Sequence, residues 1–133
     1  MAADTFVAYC LELLGSVGIA RAKRMFGAHG LYVDDLFVAI VDDEQLFLKV
    51  DAETQPRFEA AGCRPFVYGR MDQPITMSYW TAPEEATESP ALMLPWARLA
   101  QAAALRARAA KAQGAKRKTP AQGTTIRPRR PAL

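Results

Sequence analysis

The stretch that decides the fold runs from Arg24 to Val50 and reads RMFGAHGLYVDDLFVAIVDDEQLFLKV. It contains a glycine-flanked turn, Gly27–Gly30, and then three short apolar segments separated by acidic residues. Apolar segments rich in β-branched and aromatic residues, set between polar turns, are typical of strands. Strands with such short links must run antiparallel, because a parallel pair needs a long crossover. The stretch therefore predicts a three-stranded antiparallel meander.

The meander sets the positions of its own turns. Its strands are predicted at Leu31–Val33, Leu36–Val41 and Leu46–Val50. Asp34-Asp35 then forms a two-residue hairpin turn, and the next turn covers Asp42–Gln45.

Outside the meander, the hydrophobic period changes between helix and strand. The predicted elements are a helix over 5–17, an extended segment over 19–26, a helix over 51–61, strands over 64–68 and 75–80, and a helix from near Pro95 to near Gly114. The order is α-β(3)-α-β(2)-α. We therefore predict an α+β fold, a two-layer arrangement with one antiparallel sheet and helices packed on one face.

The charges are divided along the chain. All 14 acidic residues lie at or before Glu88, whereas 9 of the 17 Lys and Arg residues follow Leu105. The last twenty residues have almost no apolar content and cannot offset the entropy of ordering. We expect a folded domain over residues 1–113 and a disordered basic tail over 114–133.

The basic tail is a candidate for contact with nucleic acid. Such cations neutralise phosphates but do not read base edges, so the binding would be non-specific. The alternative is an unstructured appendage that only aids solubility. The candidate residues are Lys116, Arg117, Lys118, Arg127, Arg129 and Arg130.

The glycine-flanked turn is a second candidate, for a small anion or a nucleotide. Phosphate loops place their glycines at a helix N-terminus, usually with a lysine and a hydroxyl. Here a strand follows, which favours a purely structural turn and leaves an anion site as the alternative. The residues of that alternative are Arg21, Lys23, Arg24, Gly27, His29 and Gly30.

Residue types for catalysis and metal binding are scarce. His29 is the only histidine, and Cys10 and Cys63 have no metal-type spacing. We predict no catalytic residues, no metal site and no cofactor. The absence of a secretory signal and of a bilayer-spanning segment favours a cytoplasmic protein with no membrane association.

One predicted strand, Leu36–Val41, is apolar at every position. An open sheet that is covered on one face normally shows polar alternation on the other. The pattern predicts that both faces are covered here, by a protein partner or by a second copy in a homodimer through the sheet.

Several short motifs, in register, resemble the N-terminal domain of the TfoX/Sxy family. They are Arg24–Tyr32, Leu46–Asp51, Phe58–Gly62, Pro65–Tyr68, Met77–Trp80, Pro83–Glu85 and Leu94–Arg98, and the resemblance covers about residues 5–110. It implies a two-layer fold with an antiparallel sheet, similar to secretion-chaperone-like domains. Founding members regulate competence genes and carry a further helical C-terminal domain, for which this chain is too short. No catalytic residues are established for the family, so the resemblance implies none here.

The resemblance implies a non-enzymatic interaction module in transcriptional regulation. Its sheet would meet a protein partner, and its tail would add non-specific attraction to nucleic acid. The alternative is an anion-binding or nucleotide-binding domain that uses the glycine-flanked turn. An enzyme is disfavoured because the usual acid–base and nucleophile sets are missing.

Overall fold

The computed structural model describes residues 2–25, 27–70 and 73–121, and the side chains of 5–25, 27–67 and 78–112. One antiparallel sheet has the strand order β1-β2-β3-β4-β6-β5. The elements are α1 (Ala2–Leu14), β1 (Ala20–Met25), β2 (Ala28–Val33), β3 (Leu36–Asp42), β4 (Gln45–Lys49), α2 (Gln55–Ala60), β5 (Pro65–Arg70), β6 (Gln73–Thr81) and α3 (Pro90–Ala121). The predicted α+β class, with a single antiparallel sheet, is confirmed.

The sheet contains one more strand than predicted. The segment 19–26, expected to be merely extended, forms β1 and pairs with β2 from Ala20↔Val33 to Met25↔Ala28. Gly27 makes the tight connection possible, since it adopts a φ of 80° that few other residues tolerate. The order is therefore α-β(4)-α-β(2)-α.

Two hairpin loops are built from acidic residues in the left-handed region. Asp34 and Asp35 have φ of 51° and 65°, and Asp43 and Glu44 have φ of 52° and 56°. Two consecutive positive φ values match the twist of paired strands, as in a type I′ turn. The Asp34-Asp35 turn is confirmed. The second turn is tighter than predicted, because Asp42 pairs with Gln45 across it.

The core lies between the sheet and the helices. α1 and α3 cover one face, which we call the inner face, and α1 contributes the fully buried Cys10, Leu13 and Leu14. Phe58 of α2 is also fully buried and meets Trp96 of α3 edge-on, with ring centroids 5.1 Å apart. Burial of a side chain of this size is worth roughly 2 kcal/mol.

A β-bulge explains the unbroken apolar run in β3. Leu31 pairs with Ala39 and Tyr32 pairs with Phe37, so Val38 is an extra residue in β3. Two neighbours at a bulge oppose one residue of the partner strand, which breaks the alternation of faces. The inner-face core therefore includes four residues of this run, Leu36, Val38, Ala39 and Val41.

Helix α3 begins earlier than predicted. It starts at Pro90, where Ser89 caps it: Ser89 Oγ accepts a hydrogen bond from the Leu92 N–H at 3.2 Å. Pro95 lies inside the helix, a position that costs about 3 kcal/mol. Burial of Met93 and Ala97 on either side helps to offset this cost, a tertiary effect that local propensity does not capture.

The backbone of α3 continues through Gly114 to Ala121, beyond the predicted end of the helix. Residues 114–121, at the start of the predicted basic tail, are therefore helical in their backbone. The rest of that tail, residues 122–133, lies outside the described residues. The division into a domain over 1–113 and a tail stays a prediction.

An ion pair ties α3 to the chain that follows β4. Arg106 Nε lies 2.6 Å from Asp51 Oδ2, and Arg106 Nη2 lies 3.1 Å from Asp51 Oδ1. Asp51 Oδ1 also accepts hydrogen bonds from the backbone N–H groups of Glu53 and Thr54, each at 3.1 Å. The hydrogen bond from Arg106 holds the pKa of Asp51 below its usual value, against the opposing effect of burial.

The second hairpin loop predicts a stabilising substitution. A non-glycine residue in the left-handed region is strained, and glycine is not, so Glu44→Gly should raise the free energy of unfolding by about 0.5–1 kcal/mol, measured by urea denaturation. The matched control is Glu12→Gly in α1, which should lower it by about 1 kcal/mol. If Glu44→Gly loses as much stability as the control, the backbone at Glu44 is not strained.

The Asp51–Arg106 pair predicts a pH-dependent effect. Asp51→Asn keeps a capping oxygen but removes the charge, and should lower the free energy of unfolding at pH 7. Because the folded-state pKa of Asp51 is depressed, its contribution is present above the unfolded pKa and is lost as the pH falls through the folded pKa.

The gap between wild type and Asp51→Asn should therefore close below about pH 4. Thermal unfolding followed by circular dichroism between acidic and neutral pH measures this gap. The control is Asp35→Asn, which breaks an exposed pair with Arg21 and should have little effect at any pH. A gap that persists unchanged in acid would refute the role of the charge.

Candidate functional site

The sheet face opposite the helices, here called the outer face, carries a cluster of aromatic rings. Ile40, Phe66 and Tyr79 are buried there, and Phe37 and Phe47 pack against them. Alternation puts these side chains opposite the inner-face core. The protein therefore covers the middle of its outer face with its own side chains.

The rings form contacts that cross several strands. Tyr32 of β2 stacks on Phe37 of β3 with centroids 5.1 Å apart, and Phe37 lies 5.6 Å from Tyr79 of β6. Phe47 of β4 lies 4.6 Å from Phe66 of β5. Aromatic pairs at these separations contribute about 0.5–1.5 kcal/mol beyond the burial of their area.

Two cations lie over the rings of this cluster. The Arg21 guanidinium carbon is 4.9 Å from the Tyr32 centroid, and Lys49 Nζ is 5.0 Å from the Tyr79 centroid. Each is within the distance of a cation–π interaction. The outer face is thus both aromatic and cationic, a combination suited to an acidic binding partner.

Burial shifts the pKa values of both residues in the Lys49–Tyr79 pair. Desolvation lowers the pKa of Lys49, partly opposed by the charge of Asp51. Desolvation, with a smaller contribution from Tyr32, raises the pKa of Tyr79 to about 12. At neutral pH the tyrosine hydroxyl therefore stays protonated, and desolvation penalises the charged form of Lys49.

The β-bulge explains why the strand over Leu36–Val41 is apolar at every position. Because of the bulge, Phe37 and Ile40 are the two residues of 36–41 that belong to the outer-face cluster. Ile40 is 7% exposed, covered by neighbouring rings of the same chain. The apolar run thus has an explanation within one chain, and a homodimer through the sheet stays a prediction.

The cations of the predicted anion site do not converge. Along β1, alternation puts Arg21 and Lys23 on the outer face, while Arg24 shares the opposite side with the core-packed Ala20 and Ala22. Arg21 is also paired with Asp35, at 3.0 Å.

The turn residues of that site have carboxylates beside them. Gly27 and His29 line a small cavity of about 180 Å³ together with Asp43 and Glu44. This neighbourhood disfavours an anion. Gly30 has a packing role, because a Cβ there would lie 3.0 Å from Phe37 Cε1 and would also collide with the side chain of Met25. The anion site at this turn stays a prediction.

The predicted nucleic-acid contacts fall beyond the described side chains. Lys116, Arg117 and Lys118 lie on the helical backbone of α3, and Arg127, Arg129 and Arg130 lie outside the described residues.

The two cysteines are poor nucleophiles. Burial raises the pKa of Cys10 to about 12 and also raises the pKa of Cys63, so both thiols stay protonated at neutral pH. In the part of the chain that the structure describes, no group of three or more His, Cys, Asp or Glu residues could hold a metal ion. Within the same described ranges, every helix is too short or too polar to cross a bilayer.

Lys49 and Tyr79 were missed by reasoning from sequence. They become neighbours because β4 pairs with β6, with Lys49 directly opposite Tyr79. Nothing local in the sequence indicates that β6, rather than β5, lies next to β4. The available signal was only that a lysine interrupts an otherwise apolar strand, Leu46–Val50.

Comparison with known proteins identifies the family. The family model for the TfoX N-terminal domain matches residues 12–104, which include all six strands of the sheet and the first half of α3. The chain belongs to the TfoX N-terminal domain family. The predicted resemblance is confirmed, and the aromatic outer face described above lies within the matched TfoX region.

A curated relative extends this result. The DNA transformation protein TfoX1 of Aliivibrio fischeri (strain ATCC 700601 / ES114) is 30% identical over 78 residues, which is 59% of this chain. The match spans 37% of that relative's length. The similarity therefore concerns one part of TfoX1, and this chain is linked to DNA transformation only through its family.

Proposed function

We propose that this protein is a non-enzymatic regulatory module of DNA transformation that acts in the cytoplasm by binding a protein partner. The match to the TfoX N-terminal domain carries the proposal, together with the similarity to the DNA transformation protein TfoX1. Both raised thiol pKa values agree with a role in binding rather than in nucleophilic catalysis.

The outer face is the surface proposed for the partner. Tyr32, Phe37 and Phe47 are only partly buried there, and aromatic side chains are enriched at the centres of protein interfaces. Arg21 and Lys23 lie on the same face and are exposed. Rings flanked by cations fit a partner segment that carries both apolar and acidic side chains, and the charges would speed its association.

Through this contact the module would regulate transcription of competence genes. The basic tail would add non-specific attraction to nucleic acid, since its cations can neutralise phosphates without reading bases. The partner contact supplies specificity in this scheme, and the tail supplies proximity to DNA.

Charge reversal on the outer face tests the partner contact. In the organism that encodes the protein, Arg21→Glu combined with Lys23→Glu should lower transformation frequency and competence-gene transcripts at least about tenfold, at unchanged protein level, because repulsion replaces attraction across the interface. The matched control is Arg98→Glu, an exposed cation on α3 on the other side of the sheet. If transformation is unaffected by deletion of the whole gene, the proposed function is wrong. If deletion abolishes it but the double variant does not, the outer face is the wrong surface.

Removal of residues 114–133 tests the tail. The truncated protein should bind duplex DNA more weakly than the full chain, and the full chain should lose affinity steeply as salt rises, with a logarithmic slope near −0.9 per phosphate neutralised. Fluorescence anisotropy with two unrelated duplexes at several salt concentrations measures both effects. Equal affinity at low and high salt would rule out the electrostatic contact, and a strong preference for one duplex would contradict non-specific binding.

A further inference from the structure

A cavity of about 340 Å³ lies where α3 passes the ends of β3 and β4, and we call it the corner cavity. Its apolar walls include Leu36, Phe37 and Tyr79 from the sheet and Ala104 and Ala107 from α3. The volume is at the lower end of the range for small-molecule sites, which are mostly apolar with a few placed polar groups.

Three cations border the corner cavity. Lys49 lines it from β4, and Arg108 and Lys111 line it from α3. Arg108 and Lys111 are three residues apart, so they occupy one face of the helix. The lining has a single carboxylate, Asp35, which is exposed and already paired with Arg21 at 3.0 Å. The cavity therefore presents an excess of positive charge.

Among the residues that the structure describes, no carboxylate forms a close ion pair with Lys49. The acid that acts on it electrostatically is Asp51, and both carboxylate oxygens of Asp51 are engaged by Arg106, at 2.6 and 3.1 Å. The contact of Lys49 Nζ is with the ring of Tyr79, 5.0 Å from its centroid. A partly desolvated ammonium without a counterion costs free energy that a bound anion would recover.

The apolar part of the cavity also has a defined shape. The rings of Phe37 and Tyr79 lie 5.6 Å apart and are tilted by 39°. The small side chains of Ala104 and Ala107 line the same cavity. Rings of this kind favour a flat apolar group that can stack or pack edge-on.

We propose that the corner cavity binds a small organic anion, a flat apolar body that carries one carboxylate or phosphate group. The body packs against Phe37 and Tyr79, and the anionic group lies among Lys49, Arg108 and Lys111. The cavity shares Phe37 with the surface proposed for the protein partner, but Arg21 and Lys23 do not line it. The proposal does not depend on that partner.

Titration of the full chain with 1-naphthoate tests the proposal. Amide chemical shifts in NMR spectra should show saturable binding, with the largest changes at residues that line the cavity, such as Leu36, Tyr79 and Ala104. The neutral analogue 1-naphthalenemethanol and inorganic phosphate alone should each bind at least about tenfold more weakly, because each lacks one of the two recognised parts. 1-Naphthyl phosphate forms a second arm, and the tighter of the two anions identifies the preferred charged group.

Charge removal in the cavity supplies the matched variants. Lys49→Met keeps most of the unbranched side chain but removes its charge, and should weaken 1-naphthoate binding about tenfold or more, as expected for loss of a charge-assisted contact. Lys111→Met, at an exposed position that the fold does not need, should weaken it as well. Arg98→Met, on α3 but outside the cavity, should bind like wild type.

Three results would overturn the proposal. One is the absence of saturable binding by either naphthyl anion, and another is equal binding of 1-naphthoate and the neutral analogue. The third is unchanged affinity in Lys111→Met together with unchanged affinity in folded Lys49→Met. If Lys49→Met does not fold, the double variant Arg108→Met and Lys111→Met replaces it, and unchanged affinity of that variant for 1-naphthoate would also overturn the proposal.

Discussion

The structure depends on how the two faces of its six-stranded sheet are buried. The helices cover one face, and the other must be covered by the side chains of the sheet itself. The inner face can accept aliphatic side chains freely, whereas the outer face must combine apolar packing with contact to water. Aromatic rings under Arg21 and Lys49 meet this requirement, because the rings bury one another and the cations keep the surface polar. The bulge at Val38 helps to meet the same requirement, because it places most of the apolar side chains of this strand on the inner face.

Much of the fold could be predicted from the sequence, because its signals are local. The hairpin at Asp34-Asp35 follows from turn chemistry, and the strands of the meander follow from the hydrophobic period. The start of α3 could not be predicted in this way. The cost of Pro95 is a local quantity, but the burial that offsets it comes from contacts with distant elements.

The candidate sites were harder to predict than the fold, for a physical reason. Arg21, Lys23 and Arg24 are adjacent in sequence, yet a strand sends neighbouring side chains to opposite faces. Lys49, Tyr79 and Arg108 are distant in sequence and line one cavity, because the β4–β6 pairing and the Asp51–Arg106 contact bring three elements together. Proximity along the chain was therefore a poor guide to proximity in the site.

The acidic hairpin loops on either side of β3 have a consequence for the unfolded chain. Residues 36–41 form an uncharged window of high β-propensity without proline, a composition that favours intermolecular cross-β stacking when it is exposed. Asp34-Asp35 precede this window and Asp42, Asp43 and Glu44 follow it. Charges in these flanking positions oppose stacking of identical strands from different chains. The residues that turn the chain in the native sheet thus also protect this strand from aggregation before the sheet has formed.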